Sequence, residues 1–167
     1  RQRHMNTRVY QSPYLVFGSF ILALLLTIVP FPDWAMHLRP QWLTLMVIYW
    51  CLTSPENVGM TIAWVTGLLL DVMTGNLIGL HALTQSIIAF LVLNIYQRTR
   101  IFPLWQQSLV VFALLLLEHV IHFWIIGLTA DIHPGKEYWL KPVVGLFIWP
   151  WLFIILGEIR HRLDSKL

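Results

Sequence analysis

Two acidic residues set in apolar runs are the first places where this chain could do chemistry. Asp71 stands in Thr66-Gly67-Leu68-Leu69-Leu70-Asp71-Val72-Met73-Thr74-Gly75, and Glu118 opens Glu118-His119-Val120-Ile121-His122. A carboxylate within a membrane is costly and is by default a functional candidate, able to relay protons, coordinate a cation or bond to a facing helix. For Asp71 the structural alternative is a place at the periplasmic end of a third helix, accepting hydrogen bonds from loop amides around Gly75 and Asn76. His81 follows Gly79 by two residues and can reach Asp71 across the short connection. A local Asp–His hydrogen bond is expected there in preference to a catalytic dyad.

Glu118 and His122 are four residues apart and share a helix face, with His119 three residues from His122. A metal centre needs three or four convergent ligands. The pattern is neither His-Glu-x-x-His, because Leu117 holds the place of the first histidine, nor its inverse. An interhelical polar contact inside a bundle is therefore expected for Glu118. Arg39, just before Pro40, has three readings: a contact to a lipid headgroup, a pair with Asp33, or a side chain snorkelling to the interface. Gly67, Gly75 and Gly79 suit close backbone approach or turns. No serine–histidine–acid arrangement, glycine-flanked nucleophile or phosphate-binding loop is present, and the 8 acidic residues are scattered singly rather than gathered to hold magnesium. The expectation is a protein without catalytic residues, cofactor or metal.

The elements that carry these residues follow from composition. Of 167 residues, 57% are hydrophobic and only 11% charged, against about a quarter charged in soluble chains. A mean hydropathy of +0.68 then reads as a polytopic membrane protein, since so few charges cannot coat a compact soluble fold. Cys51, the single cysteine, sits in an apolar run and reads as a small buried hydrophobe. Each Asp, Lys or Arg at a bilayer centre costs roughly 2.5 to 3.5 kcal/mol, so uncharged runs are candidate spans. Six result, in one integral membrane domain with approximate helices at 10–30, 40–54, 57–73, 78–97, 103–128 and 140–159. Several are shorter than the roughly 20 residues that cross about 30 Å of hydrocarbon, the second and third above all. Proline and glycine mark the boundaries, at Pro30-Phe31-Pro32, Arg39-Pro40, Ser54-Pro55, Gly75-Asn76, Phe102-Pro103 and His133-Pro134-Gly135. Pro150 falls within the last span and should kink it.

Basic residues orient the bundle. Arg1, Arg3, Arg8, Arg98, Arg100, Arg160, Arg162 and Lys166 make eight of the 11 basic residues and fall on one side of a six-span chain, while Arg39, Lys136 and Lys141 fall on the other. The positive-inside rule then places both termini in the cytoplasm. Trp34, Trp42, Trp105 and Trp139 lie near span ends, as interfacial aromatics do. The first span resembles a secretion signal, but Pro30-Phe31-Pro32 offers no small-residue cleavage site, so it is read as an anchor. The pI near 9.3 is explained by these flanks, and no nucleic-acid partner is expected.

A set of ordered motifs goes further than any of them alone: Pro30-Phe31-Pro32-Asp33, Arg39-Pro40-Gln41-Trp42, Tyr49-Trp50, Val58-Gly59 followed by Gly67-Leu68-Leu69-Leu70-Asp71, then Gly79, Leu104-Trp105-Gln106-Gln107 and Trp149-Pro150-Trp151. In order and spacing they resemble the rod shape-determining protein MreD family of Gram-negative bacteria, over nearly the whole chain. The resemblance implies a small inner-membrane component of the machinery that builds lateral-wall peptidoglycan. Its implied associates are MreC, the glycan polymerase RodA with its class B penicillin-binding transpeptidase, and the MreB filament system, reached directly or indirectly. It also implies a six-helix arrangement like that of the substrate-binding subunits of vitamin transporters.

The leading expectation is thus a noncatalytic scaffold, gripping other membrane proteins and membrane lipids. The small-residue faces around Gly59, Ala63 and Gly67 and around Gly145 are the first places to look for partner helices. An alternative is a small-molecule or lipid binding subunit of a membrane transporter, with a cavity lined by Asp71, His81 and tryptophans. A third is a proton or cation path through Asp71 and Glu118.

Overall fold

The computed structural model describes residues 13–130 and 134–165. Arg1, Arg3, Arg8, Lys166 and the Asp131–His133 part of the last long loop lie outside the described residues. Six α-helices follow one another: α1 (Pro13–Ile28), α2 (Trp42–Thr53), α3 (Met60–Thr74), α4 (Leu80–Thr99), α5 (Leu104–Thr129) and α6 (Leu140–Asp164). Two 3-10 turns, η1 (Asp33–Leu38) and η2 (Lys136–Trp139), cap the same end of the bundle as the start of α6. An ion pair between His37 of η1 and Glu137 of η2, at 2.6 Å, ties the two turns together.

The helices alternate in direction. The first turn of α1, the end of α2, the start of α3 and the ends of α4 and α6 line one cavity, where Pro13, Thr53, Thr61, Arg100 and Arg160 meet. The opposite helix ends meet around Thr27, Gln41, Thr74, His81 and Lys141. The outer ends of α1 and α6 therefore share one end of the bundle.

Three helices are long and apolar enough to cross a membrane, those of Leu80–Thr99, Leu104–Thr129 and Lys136–Asp164, while Pro13–Ile28 and Met60–Thr74 are shorter apolar helices. α2, with 12 residues, rises only about 18 Å. Its position accounts for its length. Every residue from Leu43 to Leu52 is buried, so α2 is the hub around which the others stand, and a helix apolar all round belongs inside a bundle. Its aromatic residues organise the core: Tyr49 meets Trp50, Trp149 and Phe153 edge-on, and the Trp50 indole donates to the Ser19 hydroxyl of α1 at 2.7 Å. Cys51 is a free, fully buried thiol in this hub. Around the outside, large apolar side chains such as Phe17, Phe147 and Trp151 are about 70% exposed, as suits helices whose outer solvent is lipid.

α6 runs to Asp164 rather than ending near 159. Beyond the apolar run, Glu158 accepts from Arg162 at 2.8 Å and Arg160 lies 4.0 Å from Asp164, both at i,i+4 spacing. Such pairs support a helical turn outside hydrocarbon. α6 also continues through Pro150 without a break.

Ala63, Gly67 and Gly145 are used within the bundle, where the expectation was a face for partner helices. Ala63 is completely buried. A Cβ on Gly67 would lie 2.6 Å from the His81 carbonyl oxygen and 2.7 Å from Ala82 Cα, so this glycine lets α3 press against the backbone of α4. Gly145 of α6 likewise faces the Leu115 side chain of α5. Gly59 begins α3 and has no close neighbour.

Candidate polar site inside the bundle

Between α3 and α4 the chain turns through Gly75 at φ +66° and Gly79 at φ +100°, conformations that L side chains avoid. Gly79 is the N-cap of α4 and offers no side-chain oxygen to the first-turn amides. Asp71 supplies one from the preceding helix. Its carboxylate accepts from the amides of Gly79 (2.9 Å), His81 (3.1 Å) and Ala82 (3.3 Å), which are the donors a helix start leaves unpaired. Negative charge at that position is also favoured by the helix dipole. His81 Nδ1 lies 2.7 Å from Asp71 Oδ1, so the ring and the carboxylate share a hydrogen bond. The amides that Asp71 holds are therefore those opening α4, and not those of Gly75 and Asn76. The fully buried Asp71 is spoken for by this cap.

The histidine contact continues inward. The rings of His81 and His122 meet edge-on with centroids 4.7 Å apart. His122 Nε2 lies 3.0 Å from the Thr84 hydroxyl, which itself donates to the Leu80 carbonyl at 3.0 Å. His122 is thus a bridge from α5 to α4.

Glu118 lies on the same face of α5 but serves another set of partners. It accepts from Gln41 Nε2 at 2.7 Å, from the Thr44 hydroxyl at 2.7 Å and from Gln85 Nε2 at 3.2 Å. Gln85 also donates to the Thr44 hydroxyl at 2.7 Å. One carboxylate therefore binds the start of α2 and the first turns of α4 to the middle of α5. His119 Nδ1 is 3.0 Å from Gln41 Nε2. The same Nδ1 lies 3.2 Å from the Leu115 carbonyl, which only accepts, so the two contacts ask for opposite tautomers of this ring. The His119 ring also packs on Tyr138, with centroids 4.5 Å apart. No side-chain hydrogen bond among the described residues joins the Asp71 set to the Glu118 set.

These groups border a cavity of about 230 Å³. Its walls include His81, His122, Glu118 and Arg39, together with Trp42, Gln85, His119 and Lys141, whereas Asp71 is not among them. Arg39 makes no ion pair with Asp33 among the described residues; its guanidinium stands 5.9 Å from the Phe31 ring centroid. Burial pulls the Arg39 guanidinium below its ordinary value. Gly67 lies outside the cavity, in the α3–α4 contact.

The residues that sequence reasoning passed over are Gln41, Thr44, Gln85, Trp42 and Lys141. A signal existed for Gln85: an amide in an apolar span has to find a partner on another helix or lose hydrogen bonds. Trp42, read as an interfacial aromatic, also lines the cavity, with its indole Nε1 buried.

The sequence profile of the family described as rod shape-determining protein MreD matches residues 9–159. A curated relative, the rod shape-determining protein MreD of Haemophilus influenzae, is 30% identical over 162 residues, covering 95% of this chain and 98% of that protein. No solved structure matches the chain.

Proposed function

Because the chain belongs to the rod shape-determining protein MreD family, we propose that this membrane protein works as a noncatalytic scaffold of the wall-elongation complex in the bacterial inner membrane. In this reading both termini are cytoplasmic, MreC and the RodA polymerase with its class B transpeptidase are the partners within the bilayer, and the MreB filament system is reached directly or through them. The orientation is supported by Arg98, Arg100, Arg160 and Arg162, which the fold gathers at one end of the bundle.

The observation that carries the scaffold reading is the crevice between α1 and α3. It encloses about 1380 Å³ and is walled by Phe17, Phe20, Ile21, Leu24, Val65 and Leu69. Phe17, Ile21, Val65 and Leu69 are largely exposed. α1 leans mainly on α2 and only lightly on α3, so a transmembrane helix of a partner can enter beside it. Helix association in lipid depends on close packing of this kind, since lipid offers no hydrophobic drive. Glu118 and Asp71 support the same reading from inside, by holding helices together and leaving the lateral face to partners.

Deleting the gene from its own host should convert rods to rounded cells, and the tagged protein should co-purify with MreC. Phe17→Arg with Val65→Arg should abolish that co-purification while the protein still inserts. A deletion strain with normal rods sinks the proposal. The transporter-subunit alternative is favoured only by the polar cavity, whose content is a separate question.

A further inference from the structure

The polar cavity at the η1–η2 end carries more unmet hydrogen-bonding capacity than the bundle needs for its own cohesion. Six buried atoms of residues that line it have no partner: Arg39 Nε and Nη2, Gln41 Oε1, Trp42 Nε1, Gln85 Oε1 and His119 Nε2. Gln85 is wholly buried and His119 is 3% exposed. Native interiors rarely leave such groups unpaired, and a cluster of them calls for an occupant. The donors and acceptors are of both kinds, which tells what that occupant must offer.

Charge narrows it. Arg39 and Lys141 both line the cavity, together with Glu118. Glu118 is the one carboxylate on these walls, and it already accepts from Gln41, Thr44 and Gln85. Neither cation has an ion-pair partner among the described residues, and Glu137 is taken by His37. Two cations against one engaged carboxylate leave the cavity in need of an anion. Hydrogen-bonding nitrogens arrive from three directions, with Arg39 and Trp42 flanking the start of α2, His119, whose ring donates or accepts with its tautomer, on α5, and Lys141 on α6. That arrangement suits a tetrahedral oxyanion better than a planar one. The free carboxamide oxygens of Gln41 and Gln85 require ligand hydroxyls.

We propose that this cavity binds a phosphate ester bearing free hydroxyl groups. Arg39 and Lys141 hold the phosphate with charge-assisted hydrogen bonds, Trp42 donates to its oxygens, His119 Nε2 meets an oxygen or a hydroxyl according to its tautomer, and Gln41 and Gln85 accept from its hydroxyls. A volume of about 230 Å³ equals roughly eight waters at about 30 Å³ each, room for a glycerophosphate-sized group. The exposed lining residues Thr74 and Asn76 mark its open side at the α3–α4 turn. Such a group comes either as a soluble ester or as the headgroup of a membrane lipid. The site does not rest on the scaffold reading, because a ligand can be held whether or not a partner helix fills the α1–α3 crevice.

The test uses the full chain in phosphatidylcholine nanodiscs. Glycerol 3-phosphate is titrated in one arm and phosphatidylglycerol is added to the bilayer in another, with bound ligand counted by native mass spectrometry. Wild type should retain one molecule, and R39Q/K141Q should weaken binding at least about tenfold, while R98Q/R162Q at the opposite end leaves it unchanged. Retention of glycerol 3-phosphate assigns the site to a soluble ester, and retention of phosphatidylglycerol alone assigns it to a lipid headgroup. Should R39Q/K141Q fail to fold, Trp42→Phe removes the indole N–H together with its five-membered ring and should weaken binding several-fold. No retention of either probe by wild type, or retention that R39Q/K141Q, or W42F in its place, leaves unchanged, overturns the proposal and leaves the cavity to water.

Discussion

Asp71 and Glu118 are both buried carboxylates in apolar helices, yet they are satisfied in opposite ways. Asp71 takes backbone amides and one ring from residues 8 to 11 positions ahead in the chain. Glu118 takes side chains from residues 33, 74 and 77 positions away. The first is a helix cap within one hairpin, and the second is a clasp across three helices. A local cap forms once its hairpin forms, whereas a clasp requires α2, α4 and α5 to be in place together.

The contrast can be broken from either side. The largest effect is expected where the hairpin itself cannot close. Gly67→Val would drive a side chain into the His81 and Ala82 backbone and should cost about 3 kcal/mol or more, the upper part of the overpacking range. Gly145→Ala meets only the flexible Leu115 side chain and should cost less than about 1.5 kcal/mol. Reversible unfolding in mixed detergent micelles would rank them, and equal losses would contradict the backbone contact at Gly67.

Next comes Asp71→Ala, which strips the cap from the amides of Gly79, His81 and Ala82 and should cost about 2 to 3 kcal/mol. Asp71→Asn keeps one accepting oxygen and should recover part of that loss. Hydrogen exchange should rise in the first turn of α4 and stay unchanged in α2.

Glu118→Gln turns one oxygen into an amide that faces the donors of Gln41, Thr44 and Gln85. A loss of about 1 to 2 kcal/mol is expected, near the top of what polar contacts between membrane helices contribute. Here exchange should rise in α2, α4 and α5 together. Faster exchange confined to α5 would show that the clasp is not one.

The smallest effect belongs to the surface. His37 and Glu137 are 47% and 64% exposed, and a double-mutant cycle on them should return less than about 1 kcal/mol. A larger coupling would mean that η1 and η2 close the polar end more firmly than an exposed pair can.

Much of this was legible from particular residues. Gly79 and Asp71 sit in the stretch where a helix must start without its own cap, and His81 is within reach along the chain, so their meeting is a local matter. The short Trp42–Thr53 helix was legible as apolar but not as the hub, because a run that is apolar all round looks alike in lipid and in a core. Gly67 was legible as a place of close backbone approach, but for it and Gly145 the partner was not, because a small residue permits close approach and only the neighbour's position says whether the approach is internal. Gln41, Thr44 and Gln85 each look like an isolated polar residue until three helices cross.

By itself the sequence determined that the chain enters a membrane, where its helices break and that its acids must be shielded from lipid. Those are consequences of transfer costs and backbone chemistry, which act residue by residue. Tertiary structure alone decided which partners shield each acid and where cations and unpaired amides converge, because these depend on the rotation and crossing of helices dozens of residues apart. Nothing in the local spacing of Arg39, Gln85, His119 and Lys141 brings them to one cavity; packing around α2 does.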